Sequence, residues 1–159
     1  YEALQDPYGK TFWPNFKGRD GCRTPMPWDD TAQAGFTTGQ PWLPIAESHR
    51  AHSVAAQDED PASTLNATRA FLRWRKSLPA LQFGDISFLD APEPVLAFTR
   101  SIEAQRLLVV FNLSAQPVIW NLPADTHAQS VEGHGLLAGE LDGNALLLPA
   151  HAVYYASIG

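Results

Sequence analysis

The sequence predicts a mainly β protein: an antiparallel β-sandwich over the C-terminal half, entered through a long irregular loop and one helix. From about Phe83 onward the residues fall into short apolar or alternating runs, each closed by turn residues. About six to eight such runs at this spacing are what two packed antiparallel sheets require. Ahead of them, residues 61–78 place apolar side chains at helical spacing. Residues 1–60 are punctuated by proline and glycine and show no sustained period.

Within the first 60 residues, Tyr8, Phe12, Trp13, Phe16, Trp28, Phe36 and Trp42 supply apolar surface. Surface of that kind argues for an ordered loop rather than a disordered one. Residues 53–60 form a polar, acidic approach to the helix. Asp60-Pro61 then suits a helix start, with Asp60 as N-cap and proline in the first helical position. Asp58, Glu59 and Asp60 so placed complement the positive end of that helix. Leu65, Phe71, Leu72, Trp74 and Leu78 share one side of it, Arg69, Arg73 and Lys76 occupy the other, and Pro79 ends it. Strands are expected at 86–89, 95–100, 107–112, 118–122, 145–148 and 153–158, with weaker ones near Ser130 and Leu137. Asp142-Gly143 between two apolar runs marks a tight turn.

Composition narrows the function classes. With 159 residues and 45% hydrophobic content the chain can build one real core. A (β/α)8 barrel needs about 250 residues and does not fit. A net charge of −6 argues against a nucleic-acid partner, which calls for a basic face. No apolar stretch approaches the roughly 18 residues of a membrane span, so no membrane partner is expected. Cys22 is the single cysteine, so no intrachain disulfide forms. That fits a cytoplasmic protein. Cys22 lacks a neighbouring base and suits a small buried residue. His49, His52, His127, His134 and His151 lack metal-ligand spacing with companion ligands. No metal and no cofactor are therefore expected. Asn66-Ala-Thr68 and Asn112-Leu-Ser114 match glycosylation sequons, a pattern short enough to recur by chance.

The densest chemistry lies in residues 18–29, GRDGCRTPMPWD, with two arginines, two aspartates, two glycines, two prolines and a tryptophan in twelve residues. Arginine offers a rigid fork of donors for carboxylates and paired hydroxyls, and tryptophan a flat apolar wall. Such a loop suits the lining of a polar, sugar-sized pocket. It equally suits an ordered surface turn held by an Arg–Asp pair. Together with LQDPYG (4–9), FWP (12–14), KGRDGCRTPMPWD (17–29) and AGFTTGQPWLP (34–44), the run resembles the loop after the last barrel strand in bacterial α-glucosidases. These belong to the α-amylase superfamily, glycoside hydrolase family thirteen, oligo-1,6-glucosidase-like branch. The resemblance continues through the helix and the all-β tail.

That resemblance implies residues 1–82 are the end of a catalytic barrel, with a substrate-side loop over 1–60, and residues 83–159 a Greek-key β-sandwich. The family's retaining mechanism uses two carboxyl groups about 5–5.5 Å apart. In the family these lie upstream of QDPYG, and no Asn-His-Asp occurs in this chain. The chain is thus expected to be a C-terminal piece of an enzyme, with no catalytic residue of its own and inactive alone. The enzyme would act on sucrose, maltose or short α-gluco-oligosaccharides, or would transfer or isomerise the glucosyl group. A non-catalytic scaffold and an independent carbohydrate-binding module are the remaining alternatives. Arg23 is implied to contact the terminal glucose of an α-glucoside substrate, the bland alternative being a brace through Asp20 or Asp29. Arg19 and Asp20 are expected to anchor the loop as an internal ion pair. Trp28 and Phe36 either flank the aglycone or fill the space beneath the loop. The apolar stripe of the helix is expected to face the barrel. Alone, the piece would self-associate or pack on the missing barrel.

Overall fold

The computed structural model describes residues 1–103 and 105–159. Its contacts divide into two compact units, Tyr1–Ala67 and Thr68–Gly159.

The second unit is the sandwich. Its strands are β1 (Asp85–Phe88), β2 (Val95–Ile102), β3 (Gln105–Asn112), β4 (Val118–Asn121), β5 (Ala128–Ser130), β6 (Glu140–Asp142), β7 (Ala145–Leu148) and β8 (Val153–Ile158). One sheet runs β1-β2-β3-β8-β5 and the other β4-β7-β6, with every strand pairing antiparallel. The weak strand expected near Leu137 is instead a single parallel bridge, Ala138 to Val153, and β6 begins just beyond it. Gly143, at φ 61°, turns the β6–β7 hairpin as the Asp-Gly signal predicts.

Leu108, Val110, Tyr154 and Ala156 point between the sheets and meet Trp120, Leu146 and Leu148 of the second sheet. Their neighbours Leu107, Val109, Val153 and Tyr155 point to the opposite face and are also buried. That second face is covered by the helices α4 (Thr64–Lys76) and α5 (Pro79–Phe83), through Phe71, Trp74, Leu78, Ala80 and Leu81. The expectation of a barrel-facing, partly orphaned stripe is thereby corrected: Phe71 and Trp74 rest on the chain's own sheet, and Leu72 alone of that set stays exposed. Trp74 stands edge-on to Tyr155 at 4.7 Å and to His134 at 5.4 Å. Its Nε1–H donates to the Glu132 carbonyl at 2.8 Å.

Helix ends differ from the sequence expectation for a common reason, which is that serines do the capping. Ser63 Oγ accepts the Asn66 N–H at 3.2 Å, so α4 starts at Thr64. Asp60 Oδ1 accepts from Ala62 N–H in the preceding turn. Asp58 and Glu59 are the last residues of α3 (Val54–Glu59), itself capped by Ser53. They therefore sit at a helix C-terminus, and the dipole reading of that cluster does not hold. Pro79 both follows α4 and opens α5.

The two sequon asparagines are internal ties. Asn66 Nδ2 donates to the carbonyls of Gln57, Asp58 and Asp60. Asn112, buried, donates to those of Gln116, Leu148 and Pro149.

The first unit holds α1 (Pro7–Thr11), a 3-10 turn (Asp20–Cys22), α2 (Glu47–Arg50) and α3. Short helices thus replace the wholly irregular loop read from the sequence.

Candidate functional site

Asp6-Pro7 opens α1, with the Asp6 carboxylate as N-cap accepting the Tyr8 N–H at 3.0 Å. The chain returns so closely that Gly9 and Gly18 must both be glycine. A Cβ on Gly9 would stand 2.6 Å from the Lys17 carbonyl oxygen, and one on Gly18, at φ 73°, 2.8 Å from the Asp6 Cβ. Across this contact the second Asp6 oxygen accepts the backbone N–H of Arg19 at 2.8 Å and its Nε at 3.3 Å. The Asp20 Oδ2 reaches back to accept the N–H groups of Gln5 and Asp6, at 2.6 and 3.0 Å. Its Oδ1 is buried and without a hydrogen-bond partner among the described residues.

Arg19 and Asp20 therefore do not pair with each other. Arg19 is tied to Asp6 and Asp20 to Gln5 and Asp6, and the ion pair joins Arg19 to Asp6, a residue not singled out from the sequence. Its signal was the same Asp-Pro dipeptide that appears at 60–61. The Arg19 backbone N–H, followed by that of Tyr8 and the Arg19 guanidinium, holds the Asp6 carboxyl below its ordinary range despite burial. Asp6 and Asp20 are both buried and both occupied by backbone donors. Neither is available as a nucleophile or a proton donor.

The 3-10 turn after Arg19 ends on Arg23, whose N–H donates to the Asp20 carbonyl at 3.0 Å. The Arg23 guanidinium has no hydrogen bond or ion pair among the described residues, and the side chain is exposed. The two carboxylates that would brace it are engaged elsewhere. Asp20 serves Gln5 and Asp6, while Asp29 accepts from the Thr31 hydroxyl at 2.6 Å and the Thr31 N–H at 2.9 Å. Those bonds, hydroxyl first, with Arg50 adding a smaller attraction, hold the Asp29 carboxyl below its ordinary range. The Arg23 donors are thus unengaged among the described residues.

Trp28 and Phe36 are both about half exposed, at 50% and 47%. The Trp28 backbone is fixed at both polar groups: its N–H donates to Ala34 and its carbonyl accepts the Ala55 N–H. Arg50 closes the same stretch by donating to the Thr31 and Ala32 carbonyls. Cys22 is exposed, and its Sγ donates to the Arg19 carbonyl at 3.0 Å. This corrects the expectation of a buried thiol: the 3-10 turn leaves Cys22 on its open side. Among the described residues no group of three or more His, Cys, Asp or Glu side chains is placed to hold a metal ion. Among the described residues, likewise, no helix is long and apolar enough to cross a membrane.

Residues 3–84 match the alpha amylase catalytic domain, and residues 86–152 the maltogenic amylase C-terminal domain. A probable alpha-glucosidase of Rhizobium meliloti is 44% identical over 158 residues, covering 99% of this chain and 28% of the relative. An oligo-1,6-glucosidase of Parageobacillus thermoglucosidasius is 34% identical over 109 residues, covering 68% of this chain and 19% of the relative. Among solved structures, an alpha-glucosyl transfer enzyme superposes with a TM-score of 0.90 at 54% identity, covering 100% of this chain and 30% of that one. The trehalulose synthase MutB of Pseudomonas mesoacidophila MX-45 superposes with a TM-score of 0.73 at 28% identity, covering 96% and 30%. The chain thus spans less than a third of the length of these relatives. With a barrel-end match over its first half and a C-terminal β-domain match over its second, this chain belongs to the α-amylase family.

Proposed function

We propose that this chain is the C-terminal part of a retaining α-glucosidase, residues 1–82 closing the catalytic barrel and residues 83–159 forming the sandwich beside it. The observation that carries the proposal is the 44% identity to a probable alpha-glucosidase over nearly the whole chain. Within it, Arg23 reaches the terminal glucose of sucrose, maltose or a short α-gluco-oligosaccharide, donating to ring hydroxyls. Its unpartnered guanidinium supports this role over that of a loop brace. Trp28 and Phe36, half exposed, stand as apolar walls on the aglycone side, and Arg19 and Asp20 act as anchors. The chemistry itself belongs to carboxylates outside this chain, so the 159 residues alone are inactive.

Glucosyl transfer is the second reading, favoured by the 54% identity to an alpha-glucosyl transfer enzyme. The two differ in whether water or a second sugar accepts the glucosyl group. The exposed Phe12, Trp28 and Trp42 support packing on a barrel or, in its absence, self-association. With one cysteine and no disulfide, a cytoplasmic location fits.

Hydrolysis of an aryl α-glucoside by the complete enzyme and by this chain, side by side, tests the proposal. Activity confined to the complete enzyme, and a rise in KM on Arg23→Ala, are the expected results. Turnover by the 159 residues alone, or an inert complete enzyme, refutes it.

A further inference from the structure

We propose that Asp6 and Asp20 form a clasp whose task is to position Arg23, an inference that rests on the substrate contact proposed for Arg23. The geometry is reciprocal. Asp6 takes the N–H and Nε of Arg19, and Asp20 takes the N–H groups of Gln5 and Asp6. Two buried carboxylates thereby lock residues 5–6 against residues 19–20, with Gly9 and Gly18 permitting the close approach. Arg23 hangs from this lock by its own N–H to the Asp20 carbonyl, and among the described residues no side-chain partner fixes it otherwise. Its aim is set by the backbone that the clasp holds. A long, exposed arginine on an unfixed turn would sample many directions, and ordering it on binding would weaken affinity.

The two aspartates are not equivalent, and this makes the inference testable. Asp6 accepts with both oxygens, from Tyr8 on one and Arg19 on the other. Asparagine there must turn an N–H₂ group toward a donor and lose one side. Asp20 accepts with Oδ2 alone, Oδ1 having no partner among the described residues. Asparagine there keeps the working oxygen.

The test is a double-mutant cycle in the complete enzyme, with aryl α-glucoside kinetics. Asp6→Asn is expected to raise KM about tenfold with kcat little changed, the effect of losing a hydrogen bond to a charged group that acts through binding. Asp20→Asn is expected to stay within about twofold of wild type, and Asp20→Ala to behave like Asp6→Asn. Placed on Arg23→Ala, Asp6→Asn should add nothing, because its effect runs through Arg23. Additive losses, or a harmless Asp6→Asn beside a damaging Arg23→Ala, overturn the clasp and leave the Arg23 reading standing. A harmless Arg23→Ala overturns the Arg23 reading and the clasp with it. Should Asp6→Asn fold poorly, the Asp20→Ala and Asp20→Asn pair carries the same cycle. Amide exchange at Arg23 in the 159-residue chain should then rise in Asp20→Ala only.

Discussion

Asn112 is the polar hub of the sandwich, and Asn112→Asp isolates what it does because the shape is conserved. Its Nδ2 donates to the carbonyls of Gln116 at 2.6 Å, Pro149 at 2.9 Å and Leu148 at 3.2 Å, tying the end of β3 to the loop before β4 and the end of β7. Its Oδ1 accepts from the Ser114 N–H and hydroxyl, and aspartate keeps those bonds. What aspartate lacks is the pair of hydrogens. The buried Leu148 carbonyl and the part-buried Pro149 carbonyl lose their donor at about 1–3 kcal/mol each, giving about 4 kcal/mol in all, while the Gln116 carbonyl keeps the Ser114 hydroxyl. For a unit of this size that corresponds to a fall in Tm on the order of 20 °C. The new carboxyl, buried and facing carbonyl oxygens, has a folded pKa above its unfolded value of about 3.9. The ionised form therefore bears the full penalty above the folded pKa. As pH falls through it, the acid gains one O–H donor and part of the deficit is recovered. Thermal melts of wild type and variant, compared at neutral and mildly acid pH, measure both effects. A variant melting within a few degrees of wild type at neutral pH refutes the hub, and a gap that does not narrow with acid refutes the reasoning about the lost hydrogens.

Two further outcomes follow from the helix-covered face of the five-stranded sheet. Trp74→Ala removes the edge contacts to Tyr155 and His134 and the bond to the Glu132 carbonyl. It should cost about 3 kcal/mol in a urea titration, and an unchanged midpoint would show the helix to be a loose cover. His134 is buried, its Nδ1 accepts the Leu136 N–H at 3.1 Å, and burial holds its pKa below the ordinary value against the opposing pull of Glu132. A lowered histidine favours the fold above its unfolded pKa of about 6.5, and the contribution is lost as pH falls through the folded value. His134→Asn, with an oxygen in place of Nδ1, keeps the acceptor without the titration. Its Tm should therefore fall less than that of wild type on acidification, and parallel pH profiles would rule out His134 as the titrating group.

How much of this was legible in the sequence depends on the kind of force that orders each part. The 145–148 and 153–158 strands coincide with β7 and β8, and the other four main strands fall within one or two residues, because apolar runs and turn residues are local signals. Two-sided burial was the missed signal. Residues 107–110 and 153–156 are continuous apolar runs, buried at every position, which is what a strand covered on both faces shows. Such a run demands a second layer, and Phe71, Trp74 and Leu78 were the residues at hand to supply it. The helix thus completes the sandwich's second core, and a unit beginning at Thr68 keeps that core intact.

The first unit was opaque for a different reason. Its order comes from side chain to backbone bonds spanning 13 to 15 residues, Asp6 to Arg19 and Asp20 to Gln5, and these leave no periodic trace. Composition singled out twelve residues there but paired Arg19 with its neighbour Asp20, since adjacency is all a sequence offers. Backbone geometry decides otherwise. The 3-10 turn places the Asp20 carboxylate on the N–H groups of residues 5 and 6, where one oxygen satisfies two donors, that of Asp6 buried. Arg23 lies at the end of that turn, and two buried carboxylates hold the turn while the arginine's guanidinium has no partner among the described residues. An arginine meant as a brace would have one of them. Unpaired among the described residues, on a turn whose backbone is fixed, Arg23 is the side chain for which we propose the substrate contact.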